Sequence, residues 1–264
     1  MLTYLVRRIV FGVVVLIGTS LITFAIAFLI PADPAVAMAG AKADPATLAT
    51  IRHELGLDQP VYIQYARYAF RAAHGDLGRS YIRRESVMHL IASRFPATAI
   101  LAAAAMVASL ILGILMGVAA AAWHGRAPDH LLLALSLAMV SIPVFWLGTL
   151  LLMGAAAATR TFPLGGFDGW ESLILPTITL ALGSAGYYSR ILHTNLSDAM
   201  RQDYIRTARG KGLSEREVMT RHAMANALLP LVTLAGLDLA GLLSGVVLTE
   251  TVFNWPGIGR LASE

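Results

Sequence analysis

The chain has 264 residues, 57% hydrophobic and 14% charged, with a mean hydropathy of +0.67 and a formal net charge of +4. A soluble domain carries about 25% charged residues, so disorder, collagen and small disulfide scaffolds are excluded. Zero cysteines exclude disulfides, thiolate metal sites, iron–sulfur clusters and thiol nucleophiles.

The first charge-free run, 9–30, has 22 residues and follows Arg7 and Arg8. A signal-peptide core spans about 7–15 residues, so this run is expected to remain as a helix despite the small-residue stretch 35–39. Pro31, Asp33 and Pro34 should break it. In the loop 31–96, Asp44 before Pro45 reads as an N-cap with Pro at the first helical position. A helix over 45–55 should stop at Gly56. Gln59 and Pro60 open a second helix, in which Val61, Tyr65, Tyr68 and Ala69 recur at helical spacing. Gly75, Asp76, Leu77 and Gly78 form a turn. The loop reads equally as an amphipathic lid on a membrane surface or as a docking surface for an external partner.

Four more apolar runs follow. They are 97–122 (26 residues), 131–159 (29, interrupted by Pro143), 172–189 (18, with Pro176 near its start) and 223–249 (27, with Asp238 as its one charge). A span needs roughly 20 apolar residues. The sequence therefore predicts an all-α polytopic membrane protein with five spans, divided as 1–30, 31–96 and 97–264. Short flanking segments on the N-terminal side carry ten Lys and Arg, against two on the other side. The positive-inside rule places the N-terminus in the cytoplasm. The basic residues follow membrane topology and do not gather on one soluble domain, so no nucleic-acid partner is expected.

The segment 190–230 carries seven Lys and Arg up to Arg221, balanced by Asp198, Asp203, Glu215 and Glu217. Gly212 can close a helix in the left-handed conformation, with Leu213 as the apolar contact after it. Ser214 and Glu217 form a capping box that starts a second, short helix. The prediction is a helix–Gly–helix hairpin, a rigid element tied at both ends to spans. Asp238 is costly inside a bilayer and should face the bundle interior, as a pathway group or a structural pair. Glu250 falls at the outer end of the last run, to gate or to be solvated. Pro143, Pro176 and Pro230 each remove a backbone donor and read as hinges or as tolerated kinks.

Catalytic signatures are missing. The Gly210-Lys211 pair is followed by Gly212 instead of Ser or Thr, so it is not a phosphate-binding loop. There is no H-E-x-x-H and no G-x-S-x-G, and the seven histidines are scattered. Neither an enzyme nor a metal site is expected.

The stretch from Asp203 through Ser214, continued by Arg221, His222, Asn226 and Pro230, resembles the cytoplasmic loop of ABC-importer permeases. More closely, the chain is similar to the B-type permease subunit of the dipeptide/oligopeptide/nickel importer family. Tyr4 to Arg8, Gly56 to Pro60, Gln64-Tyr65, Gly75 to Gly78, Ser141 to Pro143 with Trp146, Leu175-Pro176, and Glu250 to Phe253 with Pro256 to Gly259 carry that likeness along the chain. The resemblance implies the type I permease fold, an inner-membrane location and a cargo of di- or oligopeptides, with nickel chelate, glutathione or another small solute as alternatives. It implies a second permease subunit in a heterodimer, two ATPase subunits that bind ATP and Mg, and an extracytoplasmic binding protein. This chain would bind no cofactor itself.

The resemblance also assigns positions. Thr207, Ala208, Arg209, Gly212, Leu213, Ser214, Glu217, Arg221, His222, Asn226 and Pro230 would couple to the ATPase. Gly75, Asp76, Leu77 and Gly78 would meet the binding protein. Pro143, Trp146, Pro176, Asp238 and Glu250 would serve the pathway or its hinges. The acidic position that opens the coupling motif in sugar-type permeases is Thr207. A sixth span, expected from the family, is absent from this chain. An ATP-independent channel or secondary transporter is the alternative of another class.

Overall fold

The computed structural model describes residues 1–29, 34–40, 43–80, 83–158 and 163–264. The expected break at Pro31 and Asp33 lies outside them. Among the described residues the chain is helical, with one isolated bridge between Arg79 and Ser86. It divides into two units, Met1–Ala92 and Ser93–Glu264.

The first unit holds α1 (Leu2–Leu29), α2 (Pro34–Ala39), α3 (Pro45–Leu55) and α4 (Val61–Ala73). Both predicted helices of the loop form where the capping signals place them. The Asp44 carboxylate accepts the Thr47 N–H at 2.8 Å, and Gly56 ends α3 at φ +67°. Tyr65 and Tyr68 of α4 meet Phe24 of α1, with ring centroids 5.4 and 6.2 Å apart, and the Tyr65 hydroxyl pairs with Ser20 at 2.8 Å. The two tyrosines of the stripe read from the sequence therefore pack on α1, while Val61 stays exposed.

The helix α5 (Val87–Ala122) begins ten residues before its charge-free run, because the amphipathic start around Ser93 and Arg94 is already helical and Pro96 is tolerated inside it. The second unit continues with α6 (Ala127–Ser141), α7 (Val144–Ala158), α8 (Glu171–Ala199), α9 (Asp203–Gly210) and α10 (Glu215–Glu217). A π turn (Val218–Ala223), α11 (Met224–Leu243), α12 (Val247–Val252) and α13 (Ile258–Ser263) complete it.

The five apolar runs fall unevenly on the helices. Three described helices are long and apolar enough to cross a membrane, and a fourth is reached if α6 and α7 count as one broken span. That pair is bent by 97° at Pro143. A residue before proline is driven out of the helical region, and Ile142 stands extended at ψ 124°. The run 172–189 lies in α8, which at about 1.5 Å per residue is long enough to span. Its composition falls short of a lipid-facing helix because it is surrounded by protein. Buried along it are Ser172, Thr179, Ser189 and His193, among apolar neighbours such as Leu175, Leu192 and Leu196. Close approach makes this possible. A Cβ at Gly113 would lie 2.7 Å from the Tyr188 Cβ, and one at Gly186 would lie 2.6 Å from the Ser136 carbonyl oxygen. Hydrocarbon offers helices no hydrophobic drive to associate, so such glycine contacts carry the packing.

The last run also divides differently. It ends at Leu243, because Gly245 turns out at φ +100° with its α-carbon face against Gly259. Glu250 therefore sits on α12, and it is not solvated: its exposure is 0%. The Thr98 hydroxyl donates to one carboxylate oxygen at 2.8 Å, and the Arg260 N–H donates to the other at 2.8 Å. Thr98 in turn accepts the Ile258 N–H at 2.9 Å, and the Trp255 indole donates to the Ala97 carbonyl at 3.0 Å. A Cβ at Gly257 would collide with this carboxylate. The stretch 250–260 is thus a latch folded around one buried acid and fastened to α5.

Replacing Thr98 by valine keeps the shape but strands the Glu250 oxygen and the Ile258 N–H. Each unsatisfied group costs about 1–3 kcal/mol. The melting temperature of the detergent-solubilised chain should fall clearly in Thr98→Val and stay near wild type in Thr98→Ser.

Candidate functional site

The predicted hairpin forms between α8 and α11. Met200 ends α8, and Gln202 leads into α9, whose buried side is Ile205 and Ala208. Gly212 stands at φ +82°, and a Cβ there would meet open space. Its requirement for glycine is conformational and not steric. The capping box is complete. Ser214 Oγ accepts the Glu217 N–H at 3.3 Å, and the Glu217 carboxylate accepts the Ser214 N–H at 3.2 Å.

The second arm differs from its expectation. It is not a separate short helix, because α10 runs through the π turn directly into α11. The spacing of buried residues explains this. Val218 and Ala223 are five apart, then Ala227 and Leu231 follow at intervals of four. An inserted residue, absorbed by i→i+5 bonding, keeps both Val218 and Ala223 on the core side. Val218, Ala223 and Ala227 join Ile205, Ala208, Leu192, Leu196 and Ala199 in one cluster, flanked by Leu213, Ile114 and Val118. The hairpin is therefore an ordered element seated on the ends of α5 and α8.

Two polar ties cross it. Arg209 donates to both oxygens of Glu215, at 2.6 and 3.0 Å, which joins the arms around Gly212. The Asn226 amide donates to the Tyr204 hydroxyl at 3.0 Å, which joins α9 to α11. The ion pair is largely exposed, so its worth lies in fixing the fork geometry more than in stability. Sequence reading named Arg209 and Asn226 but missed Glu215 and Tyr204 as their partners. The only available signal was a basic and an acidic residue placed evenly about Gly212. Thr207 turns its hydroxyl to the Asp203 carbonyl at 3.1 Å. Arg221 is exposed and His222 half-buried in the π turn, and Pro230 is exposed inside α11.

The other named positions are not gathered at this element. Pro143 marks the bend, Trp146 is exposed on α7, and Pro176 is buried inside an unbroken α8. Asp238 is half-buried on α11 and accepts from the fully buried Tyr188 hydroxyl at 2.6 Å, a partner within its own chain. In the first unit, Asp76 accepts from the Gly78 N–H at 2.9 Å and from Arg71 at 2.8 Å, between Gly75 and Gly78 at φ +82° each. These two hydrogen bonds, the backbone one first, hold its carboxyl below the usual range. A cavity of about 520 Å³ opens beside that turn, lined by Met38, Leu55, Arg71, Gly78, Arg79, Ser80 and Arg84.

Residues 109–264 match the family model described as binding-protein-dependent transport system inner membrane component, and residues 1–102 match its N-terminal counterpart. The chain belongs to this permease family. It is 39% identical over 261 residues to the glutathione transport system permease protein GsiC of Salmonella paratyphi A, covering 99% of this chain and 85% of that one. It is 40% identical, at the same coverage, to the corresponding protein of Escherichia coli O6:H1. The chain is thus a multi-pass inner-membrane permease subunit of an ABC importer in the peptide/nickel family, built on the type I permease fold. A permease of this family works with a partner permease, an ATPase and a binding protein.

Two outcomes follow for the permease. Ser214→Ala removes the cap and should cost about 1 kcal/mol of local helix stability. Hydrogen exchange at the 215–219 amides should speed up about fivefold while α8 is unchanged. In the first unit, the Asp58 carboxylate, 2.7 Å from the exposed His53 Nδ1, raises the imidazole above its usual 6.5. A raised value means that the tie is complete below pH 6.5 and is lost as pH climbs through the shifted value. Intrinsic-rate-corrected exchange at residues 53–59 should therefore be slower at pH 6 than at pH 8.5, and flat in His53→Gln.

Proposed function

We propose that this chain pairs with a different second permease to line the translocation pathway of an importer whose cargo is glutathione or a related short peptide. The chain hydrolyses nothing itself. ATP and Mg are held by two ATPase subunits that dock below, on the cytoplasmic side, where the N-terminus also lies. A binding protein delivers cargo above, onto the loop 31–96 and its Gly75, Asp76, Leu77 and Gly78 turn.

The observation that carries this reading is the hairpin. Its two arms leave α8 and α11, share one apolar cluster with their ends, and are closed by the Arg209–Glu215 fork. A partner that displaces such an element moves both helices as bodies, which is what alternating access needs. Thr207, Ala208, Arg209, Gly212, Leu213, Ser214, Glu217, Arg221, His222, Asn226 and Pro230 form or flank the surface that the ATPase would grip. The cargo rests on the relatives, which are named as glutathione transport permeases. Glutathione is itself a tripeptide, so a broader di- or oligopeptide cargo fits the same chemistry.

The test is uptake by the full complex in proteoliposomes. Gly212→Val places a β-branched residue at φ +82°, which its side chain disfavours strongly. Uptake of labelled glutathione should fall at least tenfold while the amount of inserted chain and the stimulated ATP hydrolysis persist. Normal uptake in this variant would overturn the lever. Competition by unlabelled dipeptides, with none by glutathione, would move the cargo to ordinary peptides.

A further inference from the structure

Three side chains far apart in sequence meet at the turn between α5 and α6. His124 lies in that turn, Asp129 in the first turn of α6, and His193 on α8. Asp129 is 2% exposed and His193 is 8% exposed. The His193 Nε2 stands 3.1 Å from one Asp129 oxygen, yet neither atom is aligned for a hydrogen bond with any protein group. The His124 Nδ1 is 3.5 Å from the other oxygen, which also accepts the Gly125 N–H at 2.8 Å. The three ligating atoms lie within 4.8 Å of one another.

Two buried polar atoms that face each other without satisfying each other are costly, unless a third body sits between them. Tetrahedral zinc holds nitrogen and oxygen ligands at about 2.0–2.1 Å, which separates neighbouring ligands by roughly 3.3 Å. The observed separations, 3.1 Å to one Asp129 oxygen and 3.5 Å to the other, are of that order, and the three ligating atoms would draw together from within 4.8 Å on loading. The donor set, two imidazoles and one carboxylate, suits a borderline transition-metal dication and not magnesium or calcium, which want oxygens. The Gly125 N–H supplies the outer hydrogen bond that orients the carboxylate.

We propose that His124, Asp129 and His193 bind one divalent cation of the zinc class, with the fourth position open to solvent beside the exposed His124. Arg201 lies with a guanidinium nitrogen 3.2 Å from the His124 Nε2. Metal on Nδ1 puts the ring proton on Nε2, so two donors would then face each other. The exposed Arg201 side chain swings away on loading. The consequence is mechanical. The ion ties the α5–α6 turn to α8 ten residues before α9 begins, and so stiffens the mount of the hairpin.

The test needs no transport, so it fails or succeeds apart from the import reading. The chelator-stripped full chain in lipid nanodiscs is titrated with Zn²⁺ by calorimetry and with Co²⁺ by visible absorption. One ion per chain and the intense bands of tetrahedral cobalt are expected. His193→Gln should weaken binding at least tenfold. So should His124→Gln, which sits on the exposed rim and leaves the core untouched. Arg201→Gln should tighten binding, because a neighbouring positive charge is gone. No saturable binding by the wild-type chain would overturn the site and leave a plain buried His–Asp contact. Equal affinity in wild type and both histidine variants would overturn it too.

Discussion

The structure hangs on how closely other helices approach α8. In hydrocarbon, a helix gains nothing by hiding apolar surface from lipid, so contact distance and polar pairing must hold the bundle. Gly113 and Gly117 bring α5 onto Tyr188, Ser189 and Leu192, while Gly186 brings α8 onto α6 at Ser136. Those contacts leave no room for a methyl group. They also set polar atoms face to face, as in the Ser136–Ser189 pair at 3.1 Å and the Tyr188–Asp238 bond to α11. Both the hairpin and the buried histidine cluster are mounted on this helix. The hairpin leaves its far end, and the His193 cluster lies on its flank.

The latch around Glu250 solves a second problem by the same means. A carboxylate with no exposure to solvent is tolerable only when fixed donors replace water. Thr98 and the Arg260 backbone do that, and glycine at 257 lets the chain close over the acid. The result joins the last described residues to α5 through contacts more than 150 residues apart in sequence. The Trp255 indole completes the seal, with its ring 4.5 Å from Phe167. A buried, hydrogen-bonded acid of this kind specifies one arrangement of the loop, since any slip would strand its oxygens without donors.

The hairpin shows a third use of local chemistry. Its boundaries come from caps and from one left-handed glycine, and its rigidity from an apolar cluster under it. A permease must pass the motion of an ATPase to its spans, and a loosely tethered loop would dissipate that motion. Continuity of α10, the π turn and α11 makes the second arm part of α11 itself. The metal site lies next to the first arm, where a bound ion would change its stiffness.

Much of this was legible in the residues. Asp44, Pro45 and Gly56 bounded α3, and Ser214, Glu217 and Gly212 bounded the hairpin, because caps and left-handed turns are settled by a residue and its immediate neighbours. Charge-free runs revealed the membrane class, because bilayer thickness sets a length that can be counted. The family resemblance, and no local signal, drew attention to the hairpin as the proposed coupling element. What the sequence left open was long-range. Whether Pro143 kinks or breaks a helix depends on what its two halves pack against. Whether Glu250 is solvated depends on Thr98, which lies 152 positions away. Tyr188 finds Asp238, and three scattered histidine and aspartate residues converge, only because α8 and its neighbours bring them together. Local chemistry is written in order along the chain, whereas burial and pairing of polar groups exist only once the helices have met.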